Sequence, residues 1–336
     1  MTNRNRFKLQ TIVPFIAFAV IFLFFTIASK GKMVSAYNLK MIIDQSMVII
    51  VIGCGALFVV AQGSIDLSVG VNLALSGVIG MWAAIETGIP FLLIPVALAV
   101  GAIVGVVNGM IVSKLKVPSF ILTIAMLIGV RGIVHLIQTQ IGAQYLPASL
   151  RVLNVPTVKI SLFIVIVAVM AFFFEFTKAG RYSQAIGENE TVAKFAGVPI
   201  SKIKILAFML SGLMAGMASI FSIITVGGTS QTMGSFTEMK VAMAIFLGGV
   251  LVTGGTSAKI YKMLLGSFSI TIIVNGLAII GYPESQVSES VQGLLLLLIL
   301  FVTIIATGRD RKRGSPLGDE VPPDNTHAEP TNDRHA

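Results

Sequence analysis

Long apolar runs alternate with short polar stretches over nearly the whole of this 336-residue chain. A helix needs about 20 residues to cross a hydrocarbon core. Runs that approach or exceed this length occupy 11–29, 41–62, 70–87, 90–113, 118–138, 160–178, 204–226, 238–253, 262–280 and 287–307, the eighth being the shortest. The pattern predicts an all-α membrane protein, a polytopic helical bundle of about ten transmembrane helices. Gly101-x-x-x-Gly105 and Gly212-x-x-x-Gly216 within two of these runs are small-xxx-small pairs, which let helices approach closely.

The polar stretches set the orientation. With the N-terminus inside, the inside segments hold sixteen Lys and Arg: Arg4, Arg6, Lys8, Lys114, Lys116, Lys178, Arg181, Lys194, Lys202, Lys204, Lys259, Lys262, Arg309, Arg311, Lys312 and Arg313. The outside segments hold five, namely Lys30, Lys32, Lys40, Arg151 and Lys159. Positive charge collects on the cytoplasmic side, so both termini are expected there. The expected organisation is a cytoplasmic segment at 1–10, a transmembrane domain at 11–308 and a disordered cytoplasmic tail at 309–336, too polar to order itself. The cationic run at 309–313 reads as a topology anchor that also meets anionic lipid.

One inside loop is long. Residues 179–203 divide the runs six to four. Asn189 is a candidate N-cap, Glu190 suits the positive end of a helix, and Gly197 with Pro199 supplies a stop. Val192, Phe195 and Ala196 share one face at helical spacing. A short amphipathic helix follows, either lying on the membrane or inserting into a groove of a soluble partner. The sharp turn back at Gly197 and Pro199 favours the docking knob.

Hydrophobic residues make up 55% of the chain and charged residues 12%, with a mean hydropathy of +0.91. Soluble domains carry about 25% charged residues, so these values point to a bilayer. The net charge of +9 resides in the short connections, which excludes a nucleic-acid surface. The first run lacks a small-residue cleavage site and reads as a retained helix. Cys54 is alone and forms no internal disulfide. There is no phosphate-binding Gly-x4-Gly-Lys-Ser/Thr loop, no His/Cys metal cluster and no nucleophile motif, so neither a catalytic residue nor a metal site is expected.

The stretch Gln62-Gly63-Ser64-Ile65-Asp66-Leu67-Ser68-Val69-Gly70 interrupts this apolar pattern. Ionisable groups between spans are costly and face a bundle interior or a water-filled cavity. The motif is expected at the cytoplasmic end of the second span, with Asp66 acting as an N-cap or as a charge partner of Arg131. Arg131, His135 and Gln138 fall on one face of the fifth run, either as a pathway face or as one side of a buried ion pair. Ser68, Asn72 and Asn275 can hydrogen-bond a passing solute or a neighbouring helix. A faint echo relates 51–70 to 245–255, both outside-to-inside stretches ending in glycine-rich breaks. Trp82 and Tyr282 sit where an aromatic belt accounts for them.

Residues 63–70 resemble the glycine-x-isoleucine-aspartate-leucine-serine-valine-glycine signature of sugar-class ABC importer permeases of the ribose, xylose and galactose type. Lys116-Val117-Pro118-Ser119-Phe120-Ile121-Leu122-Thr123, the pair Arg131-Gly132, and Gly180-Arg181-Tyr182 through Gly197-Val198-Pro199 are similar to further family motifs, in the same order. The resemblance covers roughly 10–308. It implies that 179–203 is an ATPase-coupling loop, carried by Gly187, Glu188, Asn189, Val192, Ala193, Phe195, Ala196, Gly197 and Pro199. Together with the reading of the polar positions above, it gives a signature and pathway set of Gly63, Asp66, Ser68, Gly70, Asn72, Arg131 and Asn275, of which Asn72 and Asn275 come from the residues alone. The family reads Gly-Gly-Asn where this chain has Gly187-Glu188-Asn189, which adds a negative charge at the helix start. The family's later glycines are replaced around Ala258-Lys259-Ile260-Tyr261-Lys262.

The resemblance further implies a multi-pass subunit of the bacterial cytoplasmic (inner) membrane, paired with a second permease as a homo- or heterodimer. Its partners would be a cytoplasmic ABC ATPase, which binds ATP and magnesium, and an extracytoplasmic sugar-binding protein. This chain itself would bind no cofactor and hydrolyse nothing. Membrane lipid would surround it. Two other function classes fit the residues: a stand-alone proton-coupled secondary transporter using Asp66, with Asp44, Glu86 and Glu175 near span ends, and a non-transporting membrane scaffold.

Overall fold

A computed structural model describes residues 3–282 together with Val287, Ser290, Val291, Gly293, Leu294, Leu297 and Phe301. Among them the chain is helices and turns, without strands; Tyr145 and Gly228 form one isolated bridge. The helices are α1 (Asn3–Ala28), α2 (Ala36–Ala61), α3 (Val69–Glu86), α4 (Leu93–Lys114), α5 (Ser119–Ile141), α6 (Pro156–Phe176), α7 (Lys178–Glu188), α8 (Glu190–Phe195), α9 (Ile200–Val226), α10 (Thr237–Leu247) and α11 (Ile260–Ile279). Local chemistry sets many of their ends. Ser35 caps α2 through its side chain, Pro156 opens α6 at a position where a missing N–H is harmless, and α9 stops at Gly227 in the left-handed conformation.

Among the described residues seven stretches are long and apolar enough to span a membrane: Ala36–Ala61, Val69–Glu86, Pro90–Lys114, Ser119–Ile141, Pro156–Phe176, Ile200–Val226 and Ile260–Ile279. In α1 the described apolar stretch is the shorter Ile12–Ala28. The eighth predicted run is corrected. Instead of one span over 238–253, the structure has α10, only 11 residues and so about 16 Å long. It is cut off by Gly248 and by two glycines with positive φ, Gly249 and Gly254. Most of the tenth run, and the tail, lie outside the described residues.

Burial separates a centre from a periphery. In their most apolar stretches α2 and α9 are each 78% buried, whereas α4, α5 and α6 are only 22, 17 and 22% buried. The two glycine pairs explain how α4 nevertheless grips α9. A Cβ on Gly101 would strike the Gly212 carbonyl, and one on Gly212 would strike the Gly101 carbonyl. Gly105 lies on the Phe208 carbonyl and Gly216 on that of Ala97. Backbone meets backbone with no side chain between, the arrangement small residues permit.

Gly101→Ala is therefore expected to lower stability by about 1–3 kcal/mol, the usual cost of overpacking. Gly129→Ala on α5, where an added Cβ meets nothing within 4 Å, should cost nothing measurable. Thermal unfolding of the detergent-solubilised protein checks both; equal effects would refute this account of the α4–α9 contact.

Candidate functional site

The break between α2 and α3 folds back into the bundle. Gln62 donates from Nε2 to the Ile203 carbonyl (3.3 Å) near the start of α9, whereas Asp66 accepts from Ser211 Oγ (2.8 Å). Those two positions on α9 are eight residues apart, or about 12 Å along the axis. Ser211 is the twelfth of 27 residues in α9. Asp66 thus meets α9 near its middle. The motif begins where α2 ends, and its Ile65 N bonds Ser119 Oγ at the first residue of α5 (3.3 Å), so it leads inward from the helix-end position expected from the sequence.

Its carboxylate is held by hydroxyls. Asp66 Oδ1 accepts from the backbone N of Ser68 (3.0 Å) and from its Oγ (2.6 Å), while Oδ2 takes the Ser211 bond. This is an Asx-type turn, in which the side chain imitates a backbone acceptor. Asp66 is accordingly neither the N-cap of α3, which is Ser68, nor a partner of Arg131. Ser68 Oγ also accepts from Asn108 Nδ2 (2.8 Å) on α4. Asn72 donates to the Gly101 carbonyl (3.2 Å) and accepts from Ser76 Oγ (3.3 Å). Ser68 and Asn72 therefore bond neighbouring helices. Gly63 takes φ +70 beside the Thr253 carbonyl, a conformation glycine adopts without strain.

A second break meets the first. After α9 the chain passes through 227–236, the short α10 and the irregular stretch 248–259 before α11 begins, and this whole passage is the second broken element. Within it Gly234 presses so close to Gly70 that a Cβ on either would strike the other's carbonyl. The same Cβ on Gly70 would meet Glu238 Oε2. Glu238 is buried, and that oxygen accepts no hydrogen bond. Arg131 on α5 donates from Nη1 to the Met233 carbonyl (2.7 Å), in the same passage that leads to Glu238. The predicted polar face of α5 is split: Gln138 is buried, Arg131 half-buried and His135 exposed. Asn275 stands apart from Asp66, bonded to Gln45 (2.8 Å) and to the Thr271 carbonyl (3.0 Å).

The loop 179–203 is an elbow of two helices. Asn189 caps α8, its Oδ1 accepting from Val192 N (3.0 Å), and Glu190 pairs with Lys204 (2.7 Å). The stop is a Schellman motif: Val198 N bonds the Ala193 carbonyl, Gly197 N bonds that of Lys194, and Gly197 sits at φ +82. Val192 and Phe195 are 62% and 87% exposed, and Ala196 is exposed with them. Ala193 turns the other way, buried with Ile186, Val198 and Ile203. Helix α7 was not foreseen.

The inner face of α7 touches both breaks. A Cβ on Gly187 would strike the Ala61 carbonyl and lie 2.5 Å from Gly255 N. Ser183 Oγ accepts from Gln62 Nε2 (3.0 Å), and Gln184 Nε2 donates to the Ala258 carbonyl (2.9 Å). Glu188 Oε1 accepts from Thr256 N and Oγ1, both at 2.7 Å. The extra charge at position 188 is therefore turned toward the second break and not toward the start of α8. Beside the elbow opens a crevice of about 930 Å³, bordered by Lys116, Lys194, Lys202 and Lys204.

Ser211, Asn108 and Glu238 were missed as site residues, although each is a polar residue in or at the edge of an apolar run, which is a readable signal.

The architecture is that of a helical membrane protein with two broken elements meeting halfway through the bundle. Residues 38–300 match the family described as branched-chain amino acid transport system / permease component, and the chain belongs to that family. The ribose import permease protein of Escherichia coli K12 is 32% identical over 278 residues, covering 79% of this chain and 85% of that protein. The fructose import permease protein of Rhizobium meliloti is 28% identical over 304 residues, covering 86% and 84%. The autoinducer 2 import system permease protein of Enterobacter sp. strain 638 is 31% identical over 285 residues, covering 82% and 81%. No solved structure matches. The resemblance to sugar-class importer permeases is borne out at the level of family and relatives.

Because Asp66 and Ser211 share a bond, Asp66→Ala and Ser211→Ala should each destabilise by about 1.5–3 kcal/mol, with the double variant costing less than the sum. Asp66→Ala and Arg131→Gln share no bond and should add to within about 0.5 kcal/mol. Chemical unfolding in detergent measures both cycles, and strong coupling in the second would revive a direct ion pair.

Proposed function

We propose that this chain is the transmembrane permease subunit of an ATP-driven, binding-protein-dependent importer in the bacterial cytoplasmic membrane, carrying a monosaccharide. The observation behind this reading is the α7–α8 elbow: an apolar knob in solvent, Val192 and Phe195 at 62% and 87% exposure, whose opposite side is bonded to both broken elements. An exposed Phe on a capped, rigid turn is suited to a groove on a soluble protein. A cytoplasmic ABC ATPase is the occupant that the family's import permeases call for. Lys116, Lys194 and Lys202 around the neighbouring crevice, where Lys204 is paired with Glu190, add positive charge for its acidic groups.

The charge asymmetry of the connections supports the rest of the topology. In this reading about ten segments cross, α10 with the irregular chain on either side of it making one of them; the termini and the 179–203 loop lie in the cytoplasm, and the domain limits are 1–10, 11–308 and 309–336. ATP and magnesium are held by the ATPase and no cofactor by this chain. On α5, Gly129, Gly132 and His135 are exposed among larger apolar side chains such as Ile128 and Leu136; in this reading those small and polar positions face a pathway shared with a second permease, identical or related. An extracytoplasmic sugar-binding protein delivers solute to the far end. Transport proceeds by alternating access: the ATPase displaces the elbow, and the breaks and α5 follow.

The sugar assignment is supported by the ribose and fructose relatives. Glu238, buried with an unbonded oxygen, favours one other reading, a proton-coupled transporter working alone.

Two measurements decide between these readings. Phe195→Asp combined with Val192→Asp should reduce co-purification of the neighbouring ATPase by more than about tenfold, the loss of ~1.4 kcal/mol or more of docking energy, while the bundle still unfolds cooperatively. Retention of the ATPase would overturn the docking assignment. Uptake in cells should persist when the proton gradient is collapsed at constant ATP; its loss would favour the proton-coupled reading.

A further inference from the structure

Glu188 belongs to the elbow by sequence but faces away from the apolar knob. Its Oε1 takes two hydrogen bonds from one residue, Thr256 N and Thr256 Oγ1, each 2.7 Å. Thr256 lies in the tight turn Gly255–Ser257 that joins the end of the second break to α11. That turn is shaped to receive a carboxylate. Gly255 takes φ +69, and an added Cβ would collide with the Glu188 carboxylate. Behind it, Ser257 Oγ donates to the Gly254 carbonyl (2.7 Å) and accepts from Leu251 N (3.0 Å), tying the turn to the chain that descends from α10.

The rest of α7 has other attachments. Gly187 and Ser183 grip the first break at Ala61 and Gln62, while Gln184 reaches Ala258 just past the turn. Removing Glu188 therefore leaves the elbow anchored to the α2–α3 break and loosens its hold on the second one. The second break in turn reaches α5, since the loop before α10 offers the Met233 carbonyl to Arg131.

We infer that Glu188 is a positioning residue that locks the elbow to the Gly255–Ser257 turn, so that a displacement of α8 moves both breaks as one body and carries the motion through α10 to α5. This rests on the reading of the elbow as the ATPase-docking element. It assigns Glu188 to transmission of the motion and leaves docking itself to Val192 and Phe195. Charge-assisted bonds suit that task, because they are roughly twice as strong as neutral ones. Glutamine keeps an acceptor oxygen at the same reach, whereas alanine keeps none.

The test uses the full importer reconstituted in lipid, with Glu188→Ala, Glu188→Gln, Thr256→Val and the Phe195→Asp/Val192→Asp pair. Three quantities are read: co-purification of the ATPase, the ratio of solute transported to ATP hydrolysed, and hydrogen exchange at the Thr256 amide. For Glu188→Ala the ATPase should remain bound, the transport ratio should fall about tenfold, the equivalent of ~1.4 kcal/mol, and the Thr256 amide should exchange faster. Glu188→Gln should recover most of the ratio, with Thr256→Val intermediate. A wild-type ratio in Glu188→Ala, or unaltered exchange at Thr256, would overturn the inference. Loss of the ATPase in Glu188→Ala would also overturn it, by making Glu188 a docking contact. Failure of the underlying reading shows separately, as ATPase retained by the Phe195→Asp/Val192→Asp pair whatever position 188 does.

Discussion

A carboxylate halfway along a central apolar helix has to be satisfied, and the structure around Asp66 follows from that requirement. A buried charge without partners would cost more than the fold can offset. Here the donors are hydroxyls and one amide: Ser68 twice and Ser211 once. To reach Ser211 the chain after Gln62 must climb back along α9, and α3 must therefore begin inside the bundle. Gly70 is then brought against Gly234, so the first break sets where the second can sit.

The two breaks play matched parts. Each is an irregular, glycine-containing passage that starts or ends a shortened helix, and each is held at its lower end by α7: the first through Ala61 and Gln62, the second through Gly255, Thr256 and Ala258. Irregular backbone at this depth is tolerable only where protein surrounds it. The hydrogen bonds of Ile65 with Ser119 and Thr123 on α5 supply part of that surround. An elbow bonded to both passages has a mechanical purchase on the bundle that a surface loop would lack.

Much of this was legible in the run of residues. The apolar runs locate the seven long helices to within a few positions, because a lipid-sized helix leaves a strong signal. Asn189, Glu190 and Gly197 forecast the second half of the elbow, since capping chemistry is local. The glycine pairs on α4 and α9 announced a close contact without saying that they face one another. Helix α7 escaped notice because its apolar positions are few and its stability comes from packing against α2 and the 254–258 turn. The 238–253 run looked like a span because composition does not register where glycine backbone turns left-handed.

By itself, then, the sequence determined a membrane-embedded helical bundle with a distinctive break at 63–70 and a capped loop at 179–203, as consequences of composition, periodicity and local hydrogen bonding. That the molecule is a permease was legible only through the resemblance of its motifs to a family. The tertiary structure alone decided who meets whom. Asp66 pairs with hydroxyls where Arg131 was expected, Arg131 reaches the Met233 carbonyl, and Glu188 points at Thr256. Partners of this kind lie dozens of residues apart or more, and their choice depends on helix depth and rotation, which only the packed bundle fixes.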